Sequence, residues 1–326
     1  MADENRYTLA EYAGLAGLKG VDLDVVHTIV DCMPIFDSAP LIKCNSGTMH
    51  KTQVVTSYPA GQTRGYNMGV KREKATAKFV QDTTCMTETF NEIDRKIVAL
   101  NGNSAKWRQN QDAAFVRGLA NKAAERIFNA SLKRDPFEYD GLGVRYNKIG
   151  DCVIDAAGTG NNLTDIWLVN WNKSSVHLIY PEGGVAGLTT EFEANVDATD
   201  EKGGIFKADR TWFRWDQGLS VPDPMQVIRV ANVDIDKALQ GASEVDLVKL
   251  LTMAVERIPD EVFAGCAFYM NRSLRAALRL QIQNRANVQF TFDNYAGKQV
   301  PSFDGIKIHK VPDSVIHNYA AANKIK

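Results

Sequence analysis

Residues 48–90 read as a long, polar, two-stranded arm, and the chain that follows offers no obvious place to bury it. Lys51-Thr-Gln-Val-Val-Thr-Ser-Tyr58 and Lys74-Ala-Thr-Ala-Lys-Phe-Val-Gln81 are β-branched or alternating runs of strand length. A turn-rich tip, Pro59-Ala-Gly-Gln-Thr-Arg-Gly-Tyr-Asn-Met-Gly69, separates them. Strands of this length span roughly 25–30 Å at about 3.3 Å per residue. A lone two-stranded ribbon is marginal in water. A long one persists by lying on something, and the natural candidate is another copy of the chain. Tyr58, Tyr66, Met68 and Phe79 are the few apolar groups the arm offers for that contact.

The 326 residues allow one large or two ordinary domains with a real core. A net charge of −1 supplies no global basic field to draw nucleic acid or membrane. No stretch approaches about 18 uninterrupted apolar residues, so no membrane partner is expected. The acidic, polar start, Met-Ala-Asp-Glu-Asn-Arg, does not read as a secretory signal. Cys32, Cys44, Cys85, Cys152 and Cys266 are scattered, with no CxxC pair, and read as reduced, mostly buried thiols.

Residues 1–20 are small, polar and glycine-punctuated, and read as a loosely structured arm. Asp22–Val30 reads as a short helix with acids in its first turn, before Pro34 and Pro40 break the chain. Beyond the long arm, Asn101-Gly-Asn-Ser104 is a turn and helix cap. From Ala105 to about Ser131, Val116, Leu119, Ala120, Ala123, Ile127 and Ala130 keep helical spacing. That predicts a rod of roughly 40 Å at 1.5 Å per residue.

Alternating and β-branched runs predict strands at Ile166–Trp171 and Val176–Tyr180, joined by the polar link Asn172-Lys-Ser-Ser175. Thr211–Trp215 and Met225–Val233 are two more. The glycine- and acid-rich stretch Pro181–Gly204 reads as a surface loop between these pairs. Leu247, Leu251, Ala254 and Ile258 form a helical stripe that stops at Pro259. Cys266–Met270 is a short buried strand running straight into a helix, Asn271–Ile282. Val288–Phe292 and Ile306–Val311 are closing strands around a turn-rich segment, Asp293–Gly305.

No chemical centre emerges. His27, His50, His177, His309 and His317 have neither HExxH nor His-x-His spacing, and none pairs with a cysteine at metal-ligand spacing. No catalytic residue, metal or cofactor is therefore expected. Gly158-Thr-Gly160 leads into a strand and lacks the helix-end N–H groups that would hold a phosphate. The acid pairs Asp22/Asp24 and Asp234/Asp236 read as helix-start caps. Trp167, Trp171, Trp212, Phe213 and Trp215 cluster without an interleaved basic surface, which favours core packing over a base-stacking platform.

One charge asymmetry stands out. From Asp94 to Arg134 there are nine bases (Arg95, Lys96, Lys106, Arg108, Arg117, Lys122, Arg126, Lys133, Arg134) against three acids (Asp94, Asp112, Glu125). A solvated helix face accounts for this. The sharper reading turns Arg117, Lys122 and Arg126 away from the core and toward a polyanion.

Three stretches carry a specific resemblance. They are Pro136-Phe-Glu-Tyr-Asp-Gly-Leu-Gly-Val-Arg-Tyr-Asn147, the strand run from Gly158 through Phe213-Arg-Trp-Asp-Gln-Gly-Leu-Ser-Val221 to Ile228-Arg-Val-Ala-Asn-Val233, and Phe268-Tyr-Met-Asn-Arg-Ser273 with Ser302-Phe-Asp-Gly-Ile-Lys-Ile308. Together they resemble the major capsid proteins of short-tailed bacterial viruses of the epsilon-fifteen and Bordetella-phage type, in order over most of residues 48–312. The resemblance implies the α+β Hong Kong 97-type capsid fold. Its parts would be an N-terminal arm and short helix (1–47), an extended loop (48–90) and a spine helix with peripheral domain (91–150). A strand-rich segment (151–235) would be shared by the peripheral and axial domains, and the rest of the axial domain would follow (236–326). In many relatives the axial helices come soon after the spine. Here the strand-rich segment comes first, which implies a permuted segment order.

The function implied is an icosahedral shell of hexamers and pentamers around packaged double-stranded DNA. The partners implied are copies of the chain, scaffolding and portal proteins, a decoration or cement protein, and DNA held without sequence preference. Assembly would take place in the bacterial host's cytoplasm and end in the virion. The alternatives are a nucleic-acid-binding protein acting alone through its basic helix, disfavoured by the net charge, and an enzyme, disfavoured by the missing motifs.

Overall fold

The computed structural model describes residues 33–100, 102, 105–200, 202–259, 265–283, 290–295 and 298–326. The expected N-terminal arm and Asp22–Val30 helix, and most of the Asn101–Ser104 turn, lie outside the described residues. In chain order the elements begin with α1 (Ile35–Ser38), β1 (Leu41–Lys43), β2 (Met49–Ser57), β3 (Thr76–Asp94), α2 (Arg95–Leu100), α3 (Ala105–Asn129) and α4 (Leu142–Arg145). Next come β4 (Val153–Asp155), β5 (Leu163–Asn170), β6 (His177–Tyr180), β7 (Gly187–Thr199), β8 (Ile205–Ser220), β9 (Val227–Asp234), α5 (Ile235–Gln240) and α6 (Leu247–Val255). The last are β10 (Cys266–Asn271), α7 (Arg272–Gln283), β11 (Phe290–Tyr295), β12 (Lys298–Phe303) and β13 (Ile306–Val311).

Two sheets share these strands. The arm-bearing sheet runs β1-β6-β8-β3-β2, with β7 also on β8, and the second runs β11-β12-β13-β10-β5-β9-β4. The 25-residue α3 lies under the arm-bearing sheet. Its predicted stripe, Val116, Leu119, Ala120, Ala123, Ile127, is buried throughout. Phe115 stacks on Phe213 at 5.7 Å. Asp112 accepts hydrogen bonds from Asn91 and Thr211, at 2.6 and 3.2 Å, and so fastens the helix to β3 and β8. These bonds satisfy polar groups that burial would otherwise penalise.

The second sheet is buried on both faces, so β5 and β9 carry no exposed residue, and the polar side chains they hold, Asp165 and Arg229 among them, are buried too. One face packs on α5, α6 and α7. The other shares the α3 core, where Phe128 meets Trp167 and Tyr269. Asp234, Asp246 and Asn271 cap α5, α6 and α7 with side-chain oxygens. For Asp234, this is the role its sequence position suggested.

The seam between the cores holds a polar network. Arg229 donates to Asp165 and to the carbonyl of Tyr146 (2.8 Å), and lies 4.8 Å over the ring of Trp167. Tyr319 donates to the other oxygen of Asp165 at 2.6 Å and accepts from the backbone N–H of Asn232 at 2.8 Å.

Four sequence expectations need correction. The stretch Pro181–Gly204 is not simply a loop, because Gly187–Thr199 is a 13-residue strand hydrogen-bonded to β8. Its acids, which read as loop composition, pair across the strands: Glu191 with Arg214, Glu193 with Arg210, Asp197 with Lys207. The strands either side of Asn172–Ser175 belong to different sheets, so that link is a crossover. The turn-rich Asp293–Gly305 contains β12. Trp212 is not core. It stacks on Phe90 at 5.8 Å with the Arg214 guanidinium 4.2 Å above it, while the other four aromatics of the cluster are buried.

Candidate assembly interface

The arm exists, and it is shorter than residues 48–90. β2 pairs with β3 from Met49 opposite Thr83 to Ser57 opposite Thr76. β3 is 19 residues long, and from Thr84 onward it pairs with β8 inside the sheet. One uninterrupted strand therefore makes both the arm and the sheet, which is why the sequence shows no boundary. Tyr58, Tyr66, Met68 and Phe79 are 81, 101, 65 and 77% exposed, so the projecting part presents all four. Within the tip, Glu73 accepts from the Gly61 N–H and the Gln62 amide, both at 3.0 Å.

At the root of the arm a row of polar side chains packs together, with Asp82, His177 and Ser220 buried and His50 and Arg145 half-buried. His50 lies opposite Asp82 across β2 and β3, and His177 lies opposite Ser220 across β6 and β8. The two imidazoles meet edge to face, centroids 5.3 Å apart. Arg145 at the end of α4 donates to Asp82 (2.6 Å) and to the carbonyl of Leu219 (3.2 Å). Neither ring nitrogen of His177 reaches a hydrogen-bond partner among the described residues, nor does Oγ of Ser220. Burial, reinforced by the neighbouring His50, pushes the His177 pKa down to about 4, against the backbone groups of Asn172 and Lys173. Burial lowers His50 too, against the pull of Asp82. Burial first, then Asp82 and Glu182, pushes the Cys44 thiol up to about 11. All three groups are held neutral. Gly218 permits this crowding, since a Cβ there would lie 2.4 Å from the carbonyl oxygen of Thr83.

Beside the root lies a groove of about 800 Å³, bounded by both strands at the foot of the arm, by the segments around Phe137 and Val185, and by Arg214 and Asp216 of β8. Its walls are apolar and exposed at Met86, Phe137 and Val185. Asp216 stands on its floor, with Oδ1 buried and without a hydrogen-bond partner among the described residues. Burial raises its carboxyl above the ordinary range, partly offset by Arg214, and Glu88 raises it further.

The three spine bases separate. Arg117 is exposed, and Lys122 pairs with Glu125 at 2.9 Å. Arg126 does not project away from the core. It donates to Thr87 on β3 and pairs with Glu138 at 3.5 Å, leaving its side chain 15% exposed. The segment after α3 folds back and delivers Glu138, which helical spacing alone does not reveal. No group of three or more metal-ligating side chains occurs among the described residues. No described helix is long and apolar enough to cross a membrane. The His50–His177 row was missed from sequence because its members lie over a hundred positions apart.

Comparison with known proteins is consistent with this geometry. No curated protein sequence matches the chain. Among solved structures, the chain resembles bacteriophage Epsilon15 with a TM-score of 0.67 and 26% identity, covering 87% of this chain and 88% of that one. It also resembles the bacteriophage JBD30 capsid with a TM-score of 0.50 and 10% identity, covering 85% and 89%, a likeness of fold alone. The architecture is the Hong Kong 97-type capsid fold. The profile of the family described as "Major capsid protein GP7" matches residues 19–321. With nearly its whole length matched, the chain belongs to this family of shell-forming major capsid proteins.

Proposed function

We propose that copies of this chain associate through hexamers and pentamers into an icosahedral shell that encloses packaged double-stranded DNA. The shell forms in a bacterial host's cytoplasm and becomes part of the virion. The observation that carries the reading is the arm, a ribbon that exposes four large apolar side chains at its tip and along its edge. Buried between copies, each would contribute on the order of 1.5–3 kcal/mol. Scaffolding, portal and decoration or cement proteins are the further partners the reading implies. The work is structural, and no reaction is assigned to the chain.

Deleting Gly61–Gly69 tests this. The shortened chain should keep the parent's circular dichroism and melting temperature, because the tip lies outside the core. Electron microscopy should show no shells. Normal shells from the shortened chain would remove the arm from assembly.

Arg117 and Lys122 remain the candidates for contact with packaged DNA, with Arg126 withdrawn. Replacing both with glutamine should leave empty shells intact. Filled shells should lose stability at low salt, with the difference vanishing near 1 M salt as screening shortens to about 3 Å. Equal stability of filled parent and variant shells at every salt concentration would place these side chains away from the genome.

A further inference from the structure

We propose that His50 and His177 bind one divalent transition cation, zinc foremost, which clamps β2 to β6 inside a single subunit. The row at the arm root carries the argument. His50 lies opposite Asp82 across β2 and β3, and His177 lies opposite Ser220 across β6 and β8. Opposite residues of an antiparallel pair share a face, with Cβ atoms about 4.5–5.5 Å apart. β3 and β8 are neighbours, so two strands separate β2 from β6, a backbone distance of about 14 Å. The two rings nevertheless approach to 5.3 Å between centroids. Two imidazoles on one tetrahedral ion, with metal–nitrogen bonds of about 2.0–2.1 Å, hold their ring centres roughly 5 Å apart.

The polar atoms around the pair fit such an ion. His177 is 2% exposed, and neither of its ring nitrogens reaches a hydrogen-bond partner among the described residues. Nδ1 of His50, Oδ2 of Asp82 and Oγ of Ser220 are in the same condition. Buried polar atoms rarely stand unpaired, and five in one row call for a common partner. Neutral imidazole is the commonest metal ligand, and burial keeps both rings unprotonated. The rings meet edge to face, and rotation about χ2, a broad torsion in histidine, turns a nitrogen of each into the gap. Two imidazoles fill half of a tetrahedral set, and water fills the rest. Arg145 holds Oδ1 of Asp82 at 2.6 Å, which leaves Oδ2, with Oγ of Ser220, to accept hydrogens from those waters. His50 is half-buried and gives the ion its path from solvent.

Zinc titrated into the full, unassembled chain tests this. Cys44, Cys85 and Cys266 are buried, so Cys32→Ser with Cys152→Ser removes the two other thiols as competitors. Calorimetry on that background should show one site per subunit. His50→Gln and His177→Gln should each weaken it at least tenfold, whereas His317→Gln, at an exposed histidine, should not. No binding, or equal affinity with and without the arm-root substitutions, would overturn the proposal and leave water as the row's partner. Loss of binding in His317→Gln would move the site to the surface and overturn it too. The site lies within one subunit, so none of these outcomes touches the shell reading.

Two further readings need no arm-root substitution, so they stand even where a variant misfolds. Cobalt in place of zinc should give the visible bands of a four-coordinate ion without a thiolate charge-transfer band. A thiolate band would bring in Cys44, whose buried thiol feels the Asp82 charge, and overturn the two-imidazole assignment. Added zinc should slow hydrogen exchange in β2 and β6 together and leave β10 and β13 unchanged. Protection of β10 and β13 instead, around His309, would place the ion in the second sheet and overturn the proposal.

Discussion

Arg229→Leu is expected to cost about 3–5 kcal/mol of subunit stability, because it strands the Asp165 carboxylate in a buried seam. Arg229 does more than pair with Asp165. It donates to the carbonyls of Gly143 and Tyr146, and its guanidinium lies over Trp167. Those carbonyls would lose their donor, adding to the cost. Urea unfolding of the unassembled subunit measures the effect as a drop in midpoint at unchanged slope. Arg229→Leu combined with Asp165→Leu should recover part of the loss, since no charge is then left unpaired. A loss below about 1 kcal/mol for the single variant would mean that water reaches the pair and screens it.

Acid should loosen the root of the arm. Histidine titrates near 6.5 when exposed, and the folded environment of His177 brings it to about 4. A lowered folded-state pKa means the unfolded root binds the proton first. The stabilisation is complete above pH 6.5 and declines as pH falls toward 4. The full difference of about 2.5 units corresponds to about 3 kcal/mol, roughly two-thirds of it gone by pH 5. His50 shifts in the same direction and adds to the effect. Asp82, held by Arg145, is the acid facing His50 and opposes the effect only in part. Hydrogen exchange in β2 and β6 should therefore quicken between pH 7 and pH 5, after correction for intrinsic rates. His177→Leu should abolish most of that change. His309, also pushed to about 4 by burial, sits in the second sheet, so His309→Leu should leave exchange at the arm root as it was. Pace unchanged with pH in the parent would show that the imidazole pair is not the acid-sensitive element.

The long helix and the arm were legible in the sequence because each has one dominant local signal. The α3 stripe repeats at helical spacing with no proline to interrupt it, and the structure ends the helix at Asn129, two residues before the expected Ser131. The arm tip is dense with glycine and polar residues between β-branched runs. What the sequence hid is pairing at a distance. Glu191, Glu193 and Asp197 look like loop acids until β8 brings Arg214, Arg210 and Lys207 opposite them. Arg126 looks solvated until Glu138 returns to meet it. The groove joins residues from the foot of the arm, from beyond α3, from the entry to β7 and from β8, four segments with no shared periodicity.

The crossing of the chain between its two sheets governs when a subunit becomes competent. β4 and β5 enter the second sheet, β6 to β8 leave for the first, and β9 returns. β5 waits for Cys266–Asn271 to cover one edge, and β10 in turn waits for its parallel partner Ile306–Val311. A nascent chain halted at residue 235 would thus hold a half-built second sheet with an open hydrophobic edge, a species prone to adhere to its neighbours. The groove and the arm root are complete by Ser220, long before the second sheet closes. Synthesis at about 5–20 residues per second leaves several seconds between these events. During that interval a polysome would display finished adhesive surfaces on unfinished bodies, so ribosome spacing and chaperone occupancy set how many subunits escape premature association.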